Sequence, residues 1–384
     1  EINLTGKHLP TLPFFIPAHH PIQKICIRNN QIRSFPCELR ALTHLDLSGN
    51  SLSEVMLDGA DLPFCFPKLK VLRLASNGLK HIPSCIAEMK HIVSLDLERN
   101  ELQSFELILP RLETLSLFMN HIQSFTAVSP MLKVVDLSYN DLRQIELQSP
   151  TLRELILAGN VITAFSEETD LPALNRLDLS FNGLFQFPQV NAVAANLHEL
   201  SLAYNNLDTF PCGLPLSLVS LDVRCNNISQ WDEPIEQLQS LRLLIIAHNK
   251  ITCLPKLPPQ LERIQTINNQ IASISSIDNK ELKTLNLSHN ALESIPPIKH
   301  SEIKDLTLKR NRIGVIEVEK LNQGLRRLDM SLNYIGVIPD SIGALYELKE
   351  LVLVGNHITT LPEEMSLLKI QTLNISENPI SAFP

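Results

Sequence analysis

Apolar and polar positions along this chain repeat one line, L-x-x-L-x-L-x-x-N-x-L. It reads as "LTHLDLSGNSL", "LKVLRLASNGL", "IVSLDLERNEL" and onward to "IQTLNISENPI". The x-L-x-L-x centre alternates with period two, which predicts a short strand with one buried face. A single such strand cannot bury its leucines, but stacked copies can, so the period predicts a solenoid rather than separate globular domains. The asparagine register runs Asn30, Asn50, Asn77, Asn100, Asn120, Asn140, Asn160, Asn182, Asn205, Asn226, Asn249, Asn269, Asn290, Asn311, Asn333, Asn356, Asn378, spaced by 20–23 residues except for one gap of 27. A degenerate copy within residues 1–20, "INLTGKHL", carries Lys7 in the asparagine slot. About 18 copies account for residues 1–384 as one array.

Each asparagine is expected to turn inward and bond backbone groups the turn would otherwise orphan, forming a ladder that Lys7 interrupts. The second halves of the copies vary. "HIPSCIAEMKHI", "VIPDSIGALYEL" and "TLPEEMSLLKI" suit a short helix started by proline. "SFTAVSPML" and "QIELQSPTL" leave room only for an extended or 3₁₀ stretch. The long gap holds "DGADLPFCFP", expected as a loop near residues 58–67. Phe35, Phe105, Phe125, Phe165, Phe187, Phe210, Phe383 and Trp231 each fall three residues after the last Leu or Ile of the line, a regularity that predicts a core spine.

Composition narrows the function. With 44% hydrophobic and 19% charged residues, the chain reads as an ordinary soluble protein. A net charge of −8 offers no basic excess for a general nucleic-acid binder. No apolar run approaches the ~20 residues of a membrane span. No signal peptide is visible, and a chain starting at Glu1 rather than Met reads as a piece of something longer. The seven cysteines (Cys26, Cys37, Cys65, Cys85, Cys212, Cys225, Cys253) are odd in number, form no C-x-x-C pair and predict free thiols in a reducing, cytoplasmic setting. Sequons begin at Asn3, Asn227, Asn286 and Asn374, but an asparagine-rich chain produces these by chance.

The in-register asparagines and leucines resemble the leucine-rich-repeat superfamily across essentially the whole chain. The resemblance implies an α/β horseshoe solenoid, with a parallel sheet on the concave face and 3₁₀ or short helices on the convex face. The strand x positions should then face a partner. Before each asparagine stand Arg99, Met119, Tyr139, Gly159, Phe181, Tyr204, Cys225 and His248, and Phe118 precedes Met119 where other copies hold small residues. Phe118, Met119, Tyr139, Phe181 and Tyr204 form an apolar stripe with a dip expected at Gly159, and the flanking copies turn polar at Ser76, Asn268, His289 and Arg310. Exposed aromatic clusters are the usual material of protein-binding hot spots. Beside the stripe, Asp46, Asp96, Asp136, Asp178 and Asp222 form an acidic row, partly scaffold, suited to a partner offering Lys or Arg. A secondary basic patch gathers Lys304, Lys309, Arg310, Arg312, Arg326 and Arg327, diluted by Asp305 and Asp329.

No catalytic motif is visible: no G-x-x-x-x-G-K-[ST], no H-E-x-x-H, no G-x-S-x-G. His19 and His20 lack an obvious third metal ligand, and no histidine is placed by motif to activate Cys26 or Cys225. The expectation is a non-catalytic scaffold with no metal and no cofactor. Its partner is a protein or another domain of its parent; the pattern sets no oligomeric state. The L-P-x-x-I signature and the absence of cysteine-rich caps resemble intracellular signalling members. The stop at "ISAFP", halfway through a copy, leads one to expect further chain beyond it. The order "LTHLDLSGNSL", "TLRELILAGN", "GLPLSLVSLDVRCNNI", "LKTLNLSHNALESIPP" resembles the repeat domain of Roco GTPase–kinases, which would place catalytic domains outside this chain. Two other parents stay open: a bacterial effector whose "LPPQL"-type copies dock a host protein or ubiquitin-ligase substrate, and the arm of a metal-dependent protein phosphatase.

Overall fold

The computed structural model describes residues 1–11, 20–33, 39–188, 195–274 and 277–381. The chain falls into two units, Glu1–Gly183 with Pro188–Leu197, and Leu184–Phe187 with His198–Pro384. In the first, a parallel sheet runs in chain order from Ile2–Asn3 through Lys24–Cys26, His44–Asp46, Val71–Arg73, Ser94–Asp96, Thr114–Ser116, Val134–Asp136 and Glu154–Ile156 to Arg176–Asp178. In the second, the parallel sheet runs from Glu199–Ser201 through Ser220–Asp222, Leu243–Ile245, Arg263–Gln265, Thr284–Asn286, Asp305–Thr307, Arg327–Asp329 and Glu350–Val352 to Thr372–Asn374. The registers pair like with like: Leu45 with Leu72, Leu95 with Leu115, Leu285 with Leu306. A slip of one residue would turn each buried leucine outward, so the alternation itself sets the register. The sequons at Asn3, Asn286 and Asn374 lie within these strands.

The asparagine ladder is the second organiser. Asn77 donates from Nδ2 to its own turn at Leu74 O (2.9 Å) and to the preceding copy at Leu47 O (3.2 Å). Its Oδ1 accepts from the Asn50 and Leu52 N–H groups at 3.0 and 3.1 Å. One buried amide thus satisfies backbone groups in two copies, each costly to bury unpaired. Lys7 offers no such amide, yet Asn30 Oδ1 accepts from both Lys7 N–H and Leu9 N–H at 2.9 and 3.0 Å.

The variable halves form the opposite side of each coil. In the short copies they are extended: Ser104–Ile108 pairs in parallel with Ser124–Val128, Gln144–Ile145 with Ala164–Phe165, and Cys253–Leu254 with Ser273–Ile274. The proline-led segments form a single α-helical turn at Cys85–Glu88 and 3₁₀ turns at Asp340–Ala344 and Glu363–Leu367. The aromatic spine is buried most fully at Phe105, stacked 5.7 Å from Phe125. In the second unit Phe210 lies 4.6 Å from Trp231. Phe165 and Phe187 are half-buried, while Phe35 and Phe383 lie outside the described residues.

One expectation gives way here. The segment expected as a loop near 58–67 carries two short helices, Glu54–Asp58 and Leu62–Cys65. Ser53 and Asp61 cap them, accepting from the Met56 and Phe64 N–H groups at 3.4 and 3.3 Å. The first helix is tied to the next copy: Glu54 accepts from the Lys80 and His81 N–H groups, and Asp58 from Cys85 N–H at 3.0 Å. Burial pushes the Glu54 carboxyl up, but these backbone donors outweigh it and hold it below the usual range. Burial and the neighbouring Asp58 push the Cys85 thiol up to about 12, so it stays protonated and unreactive.

Candidate protein-binding rim

The stripe residues are not on the strands. Pairing ends after three residues, as at Thr114–Ser116, and Phe118 and Met119 lie beyond it. From Asn29 to Glu377, the residue before every ladder asparagine has φ between 52° and 69°. There the chain turns left-handed to swing the asparagine into the core. The turning residue's N–H still bonds the next copy, Met119 to Ser138 O at 3.0 Å and Tyr139 to Ala158 O at 2.7 Å. The stripe is therefore a rim along the edge where the strands end. For an L-residue this conformation costs about 1–2 kcal/mol, so Gly and Asn are the low-strain occupants. Gly49, Gly159, Gly355, Asn29 and Asn268 fit that rule; Arg99, Met119, Tyr139, Phe181 and Tyr204 do not.

In the first unit the large side chains lean stepwise onto the following copy. The Arg99 guanidinium carbon lies 5.4 Å from the Phe118 ring centroid. Phe118 meets Tyr139 edge-on, with centroids 5.5 Å apart and planes at 83°. The Tyr139 ring then covers Gly159, where an added Cβ would come within 2.9 Å of it. The dip expected at Gly159 is thus filled by Tyr139. Such ring and cation contacts contribute about 0.5–1.5 kcal/mol each and hold the rim in place. They leave much of it in water: Met119, Tyr139 and Phe181 are 41%, 50% and 46% exposed.

In the second unit the same slot is mixed: Tyr204 and Leu332 are large and apolar, while His248, Asn268, His289 and Arg310 are polar. The Tyr204 hydroxyl shares a hydrogen bond with the Cys225 thiol, which raises the phenol above its usual range. His248 Nδ1 lies 3.1 Å from Asn268 Nδ2. His289 is held below the usual imidazole range by burial and then by Arg310, Lys309 and His248.

The acidic row is largely consumed by its own turns. Asp46, Asp96, Asp136, Asp178 and Asp222 each accept the N–H two residues on. Asn286 and Asn374 do the same without charge, so the slot selects an acceptor rather than an anion. Arg73 and Arg224 further neutralise Asp46 and Asp222. Burial raises the Asp96 carboxyl.

The basic patch divides. Lys304 and Arg326 precede the strands Asp305–Thr307 and Arg327–Asp329, whereas Lys309, Arg310 and Arg312 follow the first of these. Five residues of extended chain separate Lys304 from Lys309 by roughly 15 Å. Arg327 leaves the patch altogether, ion-paired to Glu350 at 3.1 Å, without hydrogen-bond geometry, and to Asp329 at 3.8 Å.

Among the described residues no three His, Cys, Asp or Glu side chains gather as a metal site, and no helix is long and apolar enough to cross a membrane. His19 and Cys37 lie outside the described residues. Cys26, Cys85, Cys212, Cys225 and Cys253 are free thiols. The rim's left-handed slot was signalled by its recurrent Gly and Asn, which sequence reasoning passed over. Sequence reasoning placed Asn268 and His289 in one slot with His248 but missed the stacked pair Tyr334–His357, centroids 6.0 Å apart.

Stacked coils, a leucine register and an asparagine ladder define a leucine-rich-repeat solenoid, and the chain is similar to leucine-rich-repeat proteins. Models of leucine-rich repeats match residues 301–358, and 41–60 with 281–300. The chain is similar to podocan of Mus musculus, 28% identical over 314 residues, covering 67% of this chain and 50% of podocan. It thus spans about half the length of that relative. A probable serine/threonine-protein kinase, pats1 of Dictyostelium discoideum, is 28% identical over 116 residues, covering 27% of this chain and 3% of the kinase. The structure of YopM from Yersinia enterocolitica WA-314 shares the fold with a TM-score of 0.62 at 23% identity, over 95% of this chain and 76% of that one.

Proposed function

We propose that this chain is a non-catalytic scaffold that holds a protein partner, or another domain of its parent, on the rim Arg99, Phe118, Met119, Tyr139 and Phe181. Leucine-rich-repeat proteins generally serve as protein-binding scaffolds. The observation that carries the reading here is large apolar side chains, half in water, at a backbone position where glycine would be less strained. Neither burial nor backbone preference explains them, and a partner's apolar surface would. Tyr204 and His248 occupy the same slot in the second unit and are proposed as partner contacts of that unit by itself. We assign the cytoplasm as the setting, supported by the free thiols at Cys26, Cys85, Cys212, Cys225 and Cys253. The favoured parent is a Roco-type GTPase–kinase, with this chain as its recognition or autoregulatory arm. That choice rests on the order of the copies and on the similarity to the Dictyostelium kinase. The bacterial-effector reading uses the same rim, but the 3₁₀ turns at Asp340–Ala344 and Glu363–Leu367 suit it less well.

The test is affinity capture with the wild-type chain and with Phe118→Ala/Tyr139→Ala/Phe181→Ala, alongside thermal melts. The expected result is loss of a partner with less than about 1 kcal/mol of destabilisation per ring, against ~2–5 kcal/mol for a core truncation such as Leu137→Ala. Capture of the same proteins at unchanged stability would place recognition elsewhere. A steep loss of stability would make the rings structural.

A further inference from the structure

In the second unit the left-handed slot holds His248, Asn268, His289 and Arg310, with Lys309 beside Arg310 and Arg312 two residues on. Several cations elsewhere in this unit are ion-paired: Arg224 with Asp222, Lys256 with Glu236, Lys320 with Glu317, Arg327 with Glu350. Lys309, Arg310 and Arg312 have no ion-pair partner among the described residues, and Arg310 and Arg312 are exposed. The charged groups bearing on His289 are also cationic: Arg310 and Lys309 from the following copy, with the His248 imidazole two copies back. Asn268 lies between the two histidines and is neutral. Asp329, at the strand end of the next copy, has one oxygen held by Ser331 N–H and Oγ and the other facing Arg327. Asp305 sits at the far end of its strand.

We propose that this row of imidazoles and unpaired cations binds an acidic peptide segment of a protein partner. The αL backbone groups of successive copies are joined by hydrogen bonds, His289 N–H to Lys309 O at 2.8 Å and Arg310 N–H to Ser331 O at 2.9 Å. Three copies at ~4.8 Å set His248 and Arg310 about 14 Å apart, which four or five extended residues span. A carboxylate-bearing segment of that length meets two fixed cations and two imidazoles. Nucleic acid fits poorly: the row is short, the chain carries −8 overall, and backbone-phosphate binding needs a broader basic surface. Carboxylates beside the imidazoles favour their protonated form, so binding takes up protons and strengthens as pH falls, while peptide carboxylates remain ionised. The reading is independent of the aromatic rim of the first unit.

The test is fluorescence anisotropy of a labelled poly-glutamate peptide with the full chain between about pH 8 and about pH 6. Lys309→Ala/Arg310→Ala is expected to weaken binding roughly ten-fold or more. Arg326→Ala, an unpaired cation at the opposite ends of the strands, is expected to leave it unchanged. His248→Asn/His289→Asn removes the gain on acidification while keeping residues that tolerate the left-handed slot. Arg310→Gly, which relieves the backbone, separates loss of charge from loss of fold. Phe118→Ala/Tyr139→Ala/Phe181→Ala leaves this binding intact, so the two rims fail separately. Absence of binding at either pH, equal weakening by Arg326→Ala, or tighter binding of poly-uridylate than of poly-glutamate would overturn the proposal.

Discussion

The same backbone slot serves two different surfaces. In the first unit it presents Arg99, Met119, Tyr139 and Phe181, and in the second His248, Asn268, His289 and Arg310. Their φ values are indistinguishable, between 52° and 57°. The turn therefore does not depend on what the rim side chain is. Asparagine amides below it satisfy the backbone in both units, Asn140 bonding Leu117 O and Leu137 O just as Asn311 bonds Leu287 O and Leu308 O. A scaffold that carries its stability underneath leaves the rim free to change chemistry from copy to copy.

The strongest challenge to this comparison is to remove the amide in each unit. Asn140→Ala and Asn311→Ala should each destabilise by about 3 kcal/mol, because each strands several buried backbone groups. Chemical denaturation would measure both; a large effect in one unit and none in the other would break the equivalence. Relieving the slot itself is a smaller change. Met119→Gly and Arg310→Gly should each stabilise by roughly 0.5–1 kcal/mol, the left-handed strain less the extra freedom of glycine in the unfolded chain. Equal gains would sharpen the claim that both rims are kept against a backbone preference. Destabilisation by either would mean that its side chain contributes to folding. The smallest effect is one of pH. His289 titrates below its usual range in the folded chain, so on acidification through about 6.5 the unfolded state takes up the proton first. Its contribution is therefore present above that pH and lost as pH falls below it. His44 in the first unit is lowered in the same direction, by burial and then Lys24 and Arg73. Melting temperatures around neutral pH and near pH 5.5 should fall slightly for the wild type and less for His289→Asn. An identical fall in both would remove His289 from the account.

Much of the fold was legible because one strand per copy, one leucine register and one asparagine recur in every copy. Each carries its partner's address in its own spacing. The half-buried Phe118 and the exposed Met119, Tyr139 and Phe181 were legible for the same reason, as departures from a repeated slot. The left-handed turn was written in Gly49, Gly159, Gly355, Asn29 and Asn268 but only as a pattern across distant copies. The acidic row misled because Asp two residues before Ser reads as charge, whereas in place Asp136 and Asp178 are turn acceptors for Ser138 and Ser180. The helices Glu54–Asp58 and Leu62–Cys65 were signalled by capping residues at Ser53 and Asp61, in a segment whose added length read as loop.

The sequence by itself determined the coil, its register and which positions are buried, since those follow from local periodicity and from burying apolar area in stacked copies. Only the tertiary structure decided that Tyr139 covers Gly159 and that Arg327 is drawn to Glu350. Those outcomes depend on side chains about 20 residues apart in sequence meeting across neighbouring copies, at distances of a few ångströms that no local pattern encodes.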